Sequence, residues 1–134
     1  MVNNKYFFKN KPTNELLKKL EQAKKVFLEN LDSFCKNEFI DENDLKSCDK
    51  FYLVGSQASH SKWNENSDID FNIVNSGAIP ENLFRYKRKI LDPILCSDKN
   101  KRKWIDIFFT REDYQVLEPK IDLTDYWNRI NPQI

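Results

Sequence analysis

Three short apolar runs, at residues 51–54, 69–74 and 103–109, stand out from a chain that is otherwise rich in charge, and the polar groups of the second fall in alternation. A strand through Asp68, Ile69, Asp70, Phe71, Asn72 and Ile73 sends Asp68, Asp70 and Asn72 to one side of a sheet and the three apolar residues to the other. One face must enter a core, while the other gathers two carboxylates into a small volume. Like charges that close are costly to keep ionised together, so such a pair either shares a proton or holds a cation between its oxygens. A divalent metal is the favoured reading. Upstream, the run Phe51, Tyr52, Leu53, Val54 leads into Gly55 and Ser56. Gly55 supplies the permissive backbone for a sharp strand-to-helix turn, and Ser56 starts a short helix whose amide groups could hold phosphate. Downstream, Asp106 is the single acid in a strand-like run from Lys103 to Phe109, a costly placement without a partner or a metal.

The remaining elements follow from caps and periodicity. Thr13 reads as the N-cap of one long amphipathic helix over about 13–35, with Leu16, Leu17, Leu20, Ala23, Phe27, Leu28, Leu31 and Phe34 at helical spacing. Asp41 caps a short second helix before a strand over about 50–54. The strand over about 69–74 is broken by Ser76 and Gly77, and Pro80 opens a helix to about Leu95, with Leu83, Phe84, Ile90, Leu91 and Ile94 as its buried stripe. A third strand spans about 103–109. Glu112 and Asp113 open a further turn, and in the tail over 110–134 Ile121, Leu123, Tyr126, Trp127 and Ile130 are expected to pack. The expected fold is α/β (α+β): a short mixed β-sheet with helices packed on one side and the acids on its open face. The 134 residues fit one domain that buries about two-thirds of its unfolded surface.

A formal charge of +1 gives no overall field for nucleic acid, yet the charges are uneven. Eight basic residues lie between Arg85 and Lys103, including Arg88, Lys101 and Arg102, against Asp92 and Asp98; between Leu31 and Lys50 the acids dominate. A solvated helix face and an RNA-binding patch both account for the basic segment. Cys35, Cys48 and Cys96 are odd in number and lack Cys-x-x-Cys spacing, against a disulfide framework or a structural zinc site. A cytoplasmic protein is expected, without signal peptide or membrane span. His60 is read as a surface or packing residue, and the tryptophans as core or interface.

The ordered set of an apolar strand, Gly55-Ser56, Asp68-x-Asp70 and a later Asp106 resembles the signature of the DNA polymerase β-like nucleotidyltransferase superfamily, over roughly residues 50–109. The resemblance implies two Mg²⁺ or Mn²⁺ ions held by Asp68, Asp70 and Asp106, with Asp106 also drawing the proton from an acceptor hydroxyl. Gly55 and Ser56 would cradle the phosphates of ATP or another nucleoside triphosphate, with Lys62 within reach. The chain departs from the family pattern after Ala58, where Ser59, His60, Ser61, Lys62 and Trp63 stand in place of a basic residue and a glycine. Its size is most similar to minimal nucleotidyltransferases, some of which act as antitoxins that add AMP to a partner toxin. The expected activity is therefore transfer of AMP to a macromolecular acceptor, protein or RNA. The alternatives are a non-catalytic binding module acting through a protein partner and a small-molecule (antibiotic) nucleotidyltransferase. For a protein acceptor, Tyr126 and Trp127 are candidates for an apolar contact patch. An EF-hand loop from Asn64 fails, because its sixth position is Ile69 and its twelfth Asn75; a haloacid-dehalogenase-like pattern would need Thr where Asn72 stands, and a Walker-type phosphate loop is absent.

Overall fold

The computed structural model describes residues 5–59, 68–96 and 104–132. A small hairpin of β1 (Phe7–Phe8) and β2 (Lys11–Pro12) leads to Thr13, whose hydroxyl accepts the Leu16 amide at 3.4 Å and caps α1 (Asn14–Glu29). The single helix expected over 13–35 is in fact two. Asn30 interrupts it by donating its side-chain amide to the Val26 carbonyl at 3.2 Å, the local competition with backbone bonding that makes Asn a poor helix-interior residue. The chain resumes as α2 (Leu31–Glu38). Because both helices keep the apolar spacing, Leu16, Leu20, Ala23, Phe27, Leu31 and Phe34 are all buried. Asp41 caps α3 (Glu42–Lys46) by accepting the Asn43 amide at 3.0 Å.

Two strands follow, β3 (Lys50–Val54) and β4 (Ile69–Val74), at the bounds expected from their apolar runs. After β4, Pro80 stands at the start of α4 (Pro80–Tyr86), but the helix expected to reach Leu95 changes its winding. Residues Lys87–Leu91 form a π turn, closed by the Asp92 amide bonding the Lys87 carbonyl, and α5 (Asp92–Leu95) completes the segment. Pro93 explains the change: it lacks an amide for the carbonyl four residues back, and its ring crowds that carbonyl, so the wider turn takes up the misfit. The buried stripe shifts accordingly to Leu83, Tyr86, Leu91 and Leu95, whose one five-residue step is the π turn. Phe84 and Ile94, expected inside, are 59% and 47% exposed.

The sheet is completed by β5 (Ile105–Thr110) and β6 (Lys120–Asp122), and α6 (Thr124–Arg129) is the last element of the described residues. Its strand order is β5-β4-β3-β6, with β3 antiparallel to both neighbours and β4 parallel to β5. The segment expected as a tail is thus more than that, since it supplies an edge strand and a core helix. On one face Phe51, Leu53, Ile69, Phe71, Ile73, Ile105 and Ile107 pack against helices that contribute Phe27, Tyr86 and Trp127. Trp127 stacks on Phe51 with centroids 4.2 Å apart and planes 12° apart. Each such buried aromatic contributes about 2–3 kcal/mol of transfer free energy.

The opposite face was expected to be open, and it is so only in part. Val116 closes over Tyr52, Val54 and Val74 as a second small cluster, and the Tyr52 hydroxyl donates to the Asp113 carboxylate. The segment between β5 and β6 therefore lies across this face and confines the acidic end of the sheet. Among the described residues no helix is long and apolar enough to cross a membrane.

Candidate active site

Asp70 is the centre of the site because the sheet register puts it there. It faces Val54, the residue before Gly55, on β3, and Asp106 on β5, so the two carboxylates sit side by side on neighbouring parallel strands. Asp68 lies just before β4. The Ile69 amide bonds the Trp104 carbonyl at 3.0 Å, which extends the ladder past both strands, and the Trp104 side chain hydrogen-bonds the Asp68 carboxylate. The alternation read from the sequence puts Asp68 and Asp70 at one end of one face, and the parallel pairing of β4 with β5 brings Asp106 beside them.

Gly55 is pressed against this group. Its φ of +75° is left-handed, and a Cβ built on it would stand 2.7 Å from Asp70 Oδ2. Glycine is needed here twice, for the backbone angle and for the close approach. Ser56 follows in a single 3₁₀ turn, Gly55–Ala58, closed by the Ser59 amide on the Ser56 carbonyl at 3.1 Å. The short helix expected at this point is that one turn and no longer.

Crowding and burial leave their mark on the acids. Burial, then the charges of Asp106 and Asp68, push the Asp70 carboxyl up to about 6, with Lys87 opposing. Asp68 is also raised, by burial first and by Asp106, with the Trp104 hydrogen bond pulling the other way. Carboxylate oxygens are the hard donors that Mg²⁺ and Mn²⁺ take, so Asp68 and Asp70 fit such an ion.

Asp106 is different, and the reason is a residue the sequence reading passed over. Lys87 Nζ donates to Asp106 Oδ1 at 2.5 Å, to the Ile107 carbonyl at 2.8 Å and to Asp92 Oδ1 at 3.0 Å. The ammonium also lies 4.7 Å from the centre of the Phe108 ring. Burial acts to lower the Lys87 pKa, but the bonds and charges of Asp106 and Asp92 outweigh it and hold the group above its ordinary value. The only sequence signal for this arrangement was Pro93 inside a predicted helix, since the turn that accommodates it also swings Asp92 over Lys87. Asp92, Cys96 and Asp106 have ligand atoms all within 4.8 Å of one another, a spacing that could hold a metal. With Lys87 in place that group already has its cation. The Cys96 thiol, raised to about 11 by burial and then by Asp106 and Asp92, donates to the Ile105 carbonyl at 3.1 Å.

A cavity of about 430 Å³ opens beside the acids, lined by Val54, Gly55, Asp70, Asn72, Phe108 and Leu117 among others. A larger one of about 660 Å³ lies between α4 and the outer edge of β5. The smaller is the better candidate for a substrate, because Gly55 and Asp70 form its wall and the larger one meets the acids only through Lys87.

Other expectations resolve residue by residue. Lys62 and His60, named as a nucleotide contact and a surface residue, lie outside the described residues, as do Lys99, Lys101, Arg102 and Lys103. Within the basic segment, Arg85 pairs with Glu38 at 3.2 Å and Glu81 at 3.3 Å, and Lys89 with Glu38 at 3.1 Å. Arg85 and Lys89 are thus paired with Glu38 of α2 and Glu81 of α4 rather than presented as a free basic patch. Trp127 is buried in the core and so presents no contact surface, while Tyr126 is partly buried against that core. The exposed apolar residues near the site are instead Phe84, Phe108, Tyr114 and Leu117. No protein-family model matches this chain, and no match was found among curated proteins or solved structures.

Proposed function

We propose that this protein is a metal-dependent nucleotidyltransferase of the DNA polymerase β-like type, which moves a nucleoside monophosphate, AMP from ATP, to a hydroxyl of a macromolecular acceptor. The observation that carries the reading is Gly55, with no room for a side chain, set against Asp70, which is itself in register with Asp106. In this reading Asp68 and Asp70 hold a Mg²⁺ or Mn²⁺ ion, which supplies charge neutralisation for the triphosphate. The amides and hydroxyl of Gly55 and Ser56 meet its outer phosphates. Phe108 and Leu117 offer apolar surface for the base in the cavity that Asp70 borders. Asp106 takes the proton as the acceptor oxygen bonds the α-phosphorus; the bond from that phosphorus to the bridging oxygen breaks, and pyrophosphate leaves.

A protein acceptor is favoured over RNA, because Arg85 and Lys89 are paired with Glu38 while Phe84, Tyr114 and Leu117 are exposed. Cys35, Cys48 and Cys96 are free thiols, in keeping with action in a reducing cytoplasm. The test is incubation of the purified protein with α-labelled ATP, Mg²⁺ and a lysate, followed by separation of protein from RNA. Label is expected in protein, metal-dependent and lost in Asp70→Ala. Label in neither fraction would refute the activity.

A further inference from the structure

The expected chemistry calls for two metal ions at three carboxylates, yet Asp106 already carries a cation of the protein's own. An ammonium has three N–H groups, and Lys87 spends them on three oxygens: Asp106 Oδ1, Asp92 Oδ1 and the Ile107 carbonyl. Its side chain is only 18% exposed, so these bonds are shielded from water. The backbone supports the placement independently. In the π turn Lys87–Leu91 the hydrogen bond runs five residues ahead, from the Asp92 amide to the Lys87 carbonyl, and so Asp92 comes to lie over Lys87. In an α-helix, residues five apart point to different sides. The turn thus aims a lysine and its second carboxylate at Asp106 together.

A divalent ion at bonding distance from Asp106 Oδ1 would stand directly against the ammonium with no water between them. Among the described residues no lysine hydrogen-bonds Asp68 or Asp70, and one or two carboxylates plus phosphate oxygens are what Mg²⁺ ordinarily takes from a protein and its nucleotide. We propose that Lys87 takes the place of the second metal, so that the protein binds one divalent ion, on Asp68 and Asp70, and uses a fixed ammonium to hold and neutralise Asp106. This rests on the nucleotidyl-transfer reading above. Lys87 is a positioning residue, acting through Asp106.

The test is a count of bound Mn²⁺ by electron paramagnetic resonance on the full chain, with a non-hydrolysable ATP analogue present. Wild type is expected to bind one ion per chain, Lys87→Arg the same, and Lys87→Met two. Removing the ammonium frees the Asp92, Cys96 and Asp106 group, so Co²⁺ should give a thiolate charge-transfer band in Lys87→Met and none in wild type. Two ions in wild type or in Lys87→Arg would overturn the inference and leave the transferase reading standing; so would a folded Lys87→Met that still binds one. If Lys87→Met does not fold, the counts for wild type and Lys87→Arg decide the matter. No Mn²⁺ bound, even with nucleotide, would sink both readings.

Discussion

Replacing Asp70 by Asn offers a direct measure of how much the fold is strained by its own site. In the metal-free protein the Asp70 carboxyl stands at about 6, against an ordinary value of 3.8, through burial and the neighbouring charges of Asp106 and Asp68. The native state therefore holds the proton more tightly than the unfolded chain does. The contribution is fully present below the unfolded value and is lost as pH rises through the folded one, between about 4 and 6. With each tenfold change in proton affinity worth about 1.4 kcal/mol, a sealed site would cost about 3 kcal/mol at neutral pH. Asp70 is only part-buried, and solvent screening reduces that to about 1–1.5 kcal/mol. Asp70→Asn keeps the shape and abolishes the term, so it should be more stable than wild type by that amount at pH 7.5 in EDTA. The two proteins should converge near pH 4. Urea unfolding at a series of pH values measures the difference directly, and taking the difference cancels the carboxyls that titrate alike in both, such as Asp49 and Asp122. Saturating Mg²⁺ with ATP should reverse the order, because only wild type keeps the full donor set. A wild type at least as stable as the variant at pH 7.5 in EDTA, with no pH-dependent gap, would refute the crowding argument.

Three further outcomes are expected. Gly55→Ala puts a methyl group 2.7 Å from Asp70 Oδ2 at a φ of +75°; a loss of about 1–3 kcal/mol in thermal unfolding should come with at least tenfold weaker Mg-ATP binding by calorimetry, and an unchanged titration would separate Gly55 from the site. Ser56→Ala should weaken Mg-ATP binding only a few-fold, as for one hydroxyl beside backbone amides, at about 0.5–1.5 kcal/mol, whereas equal wild-type affinity in EDTA and in Mg²⁺ would mean that the acids hold no nucleotide-bound cation. Trp127→Ala removes the ring stacked on Phe51 and should cost about 3–5 kcal/mol, read as a large drop in melting temperature; a shift of only a degree or two would show that α6 is not part of the core.

What could be read from the sequence was what neighbours along the chain decide. Hydroxyl and carboxylate caps at Thr13 and Asp41 act within three residues, and the alternation at 68–73 sorts side chains between two faces whatever lies on either side. The strands over 50–54 and 69–74 and the placing of Asp68 and Asp70 on one side of the second are of this kind. Even Asn30 and Pro93, where helices were drawn too long, are local interruptions whose side-chain chemistry was present but outweighed by periodicity. Tertiary structure decided the rest. That Asp106 lies opposite Asp70 depends on β4 and β5 pairing in parallel across more than thirty residues of chain, a choice made by the shared core beneath them. The edge strand β6, too short to show a pattern, exists because β3 offers it an unpaired side. Lys87 reads in sequence as one more lysine of a basic run. It becomes the partner of Asp106 only because the fold sets the π turn that accommodates Pro93 beside β5, where its ammonium reaches Asp106 and the Ile107 carbonyl.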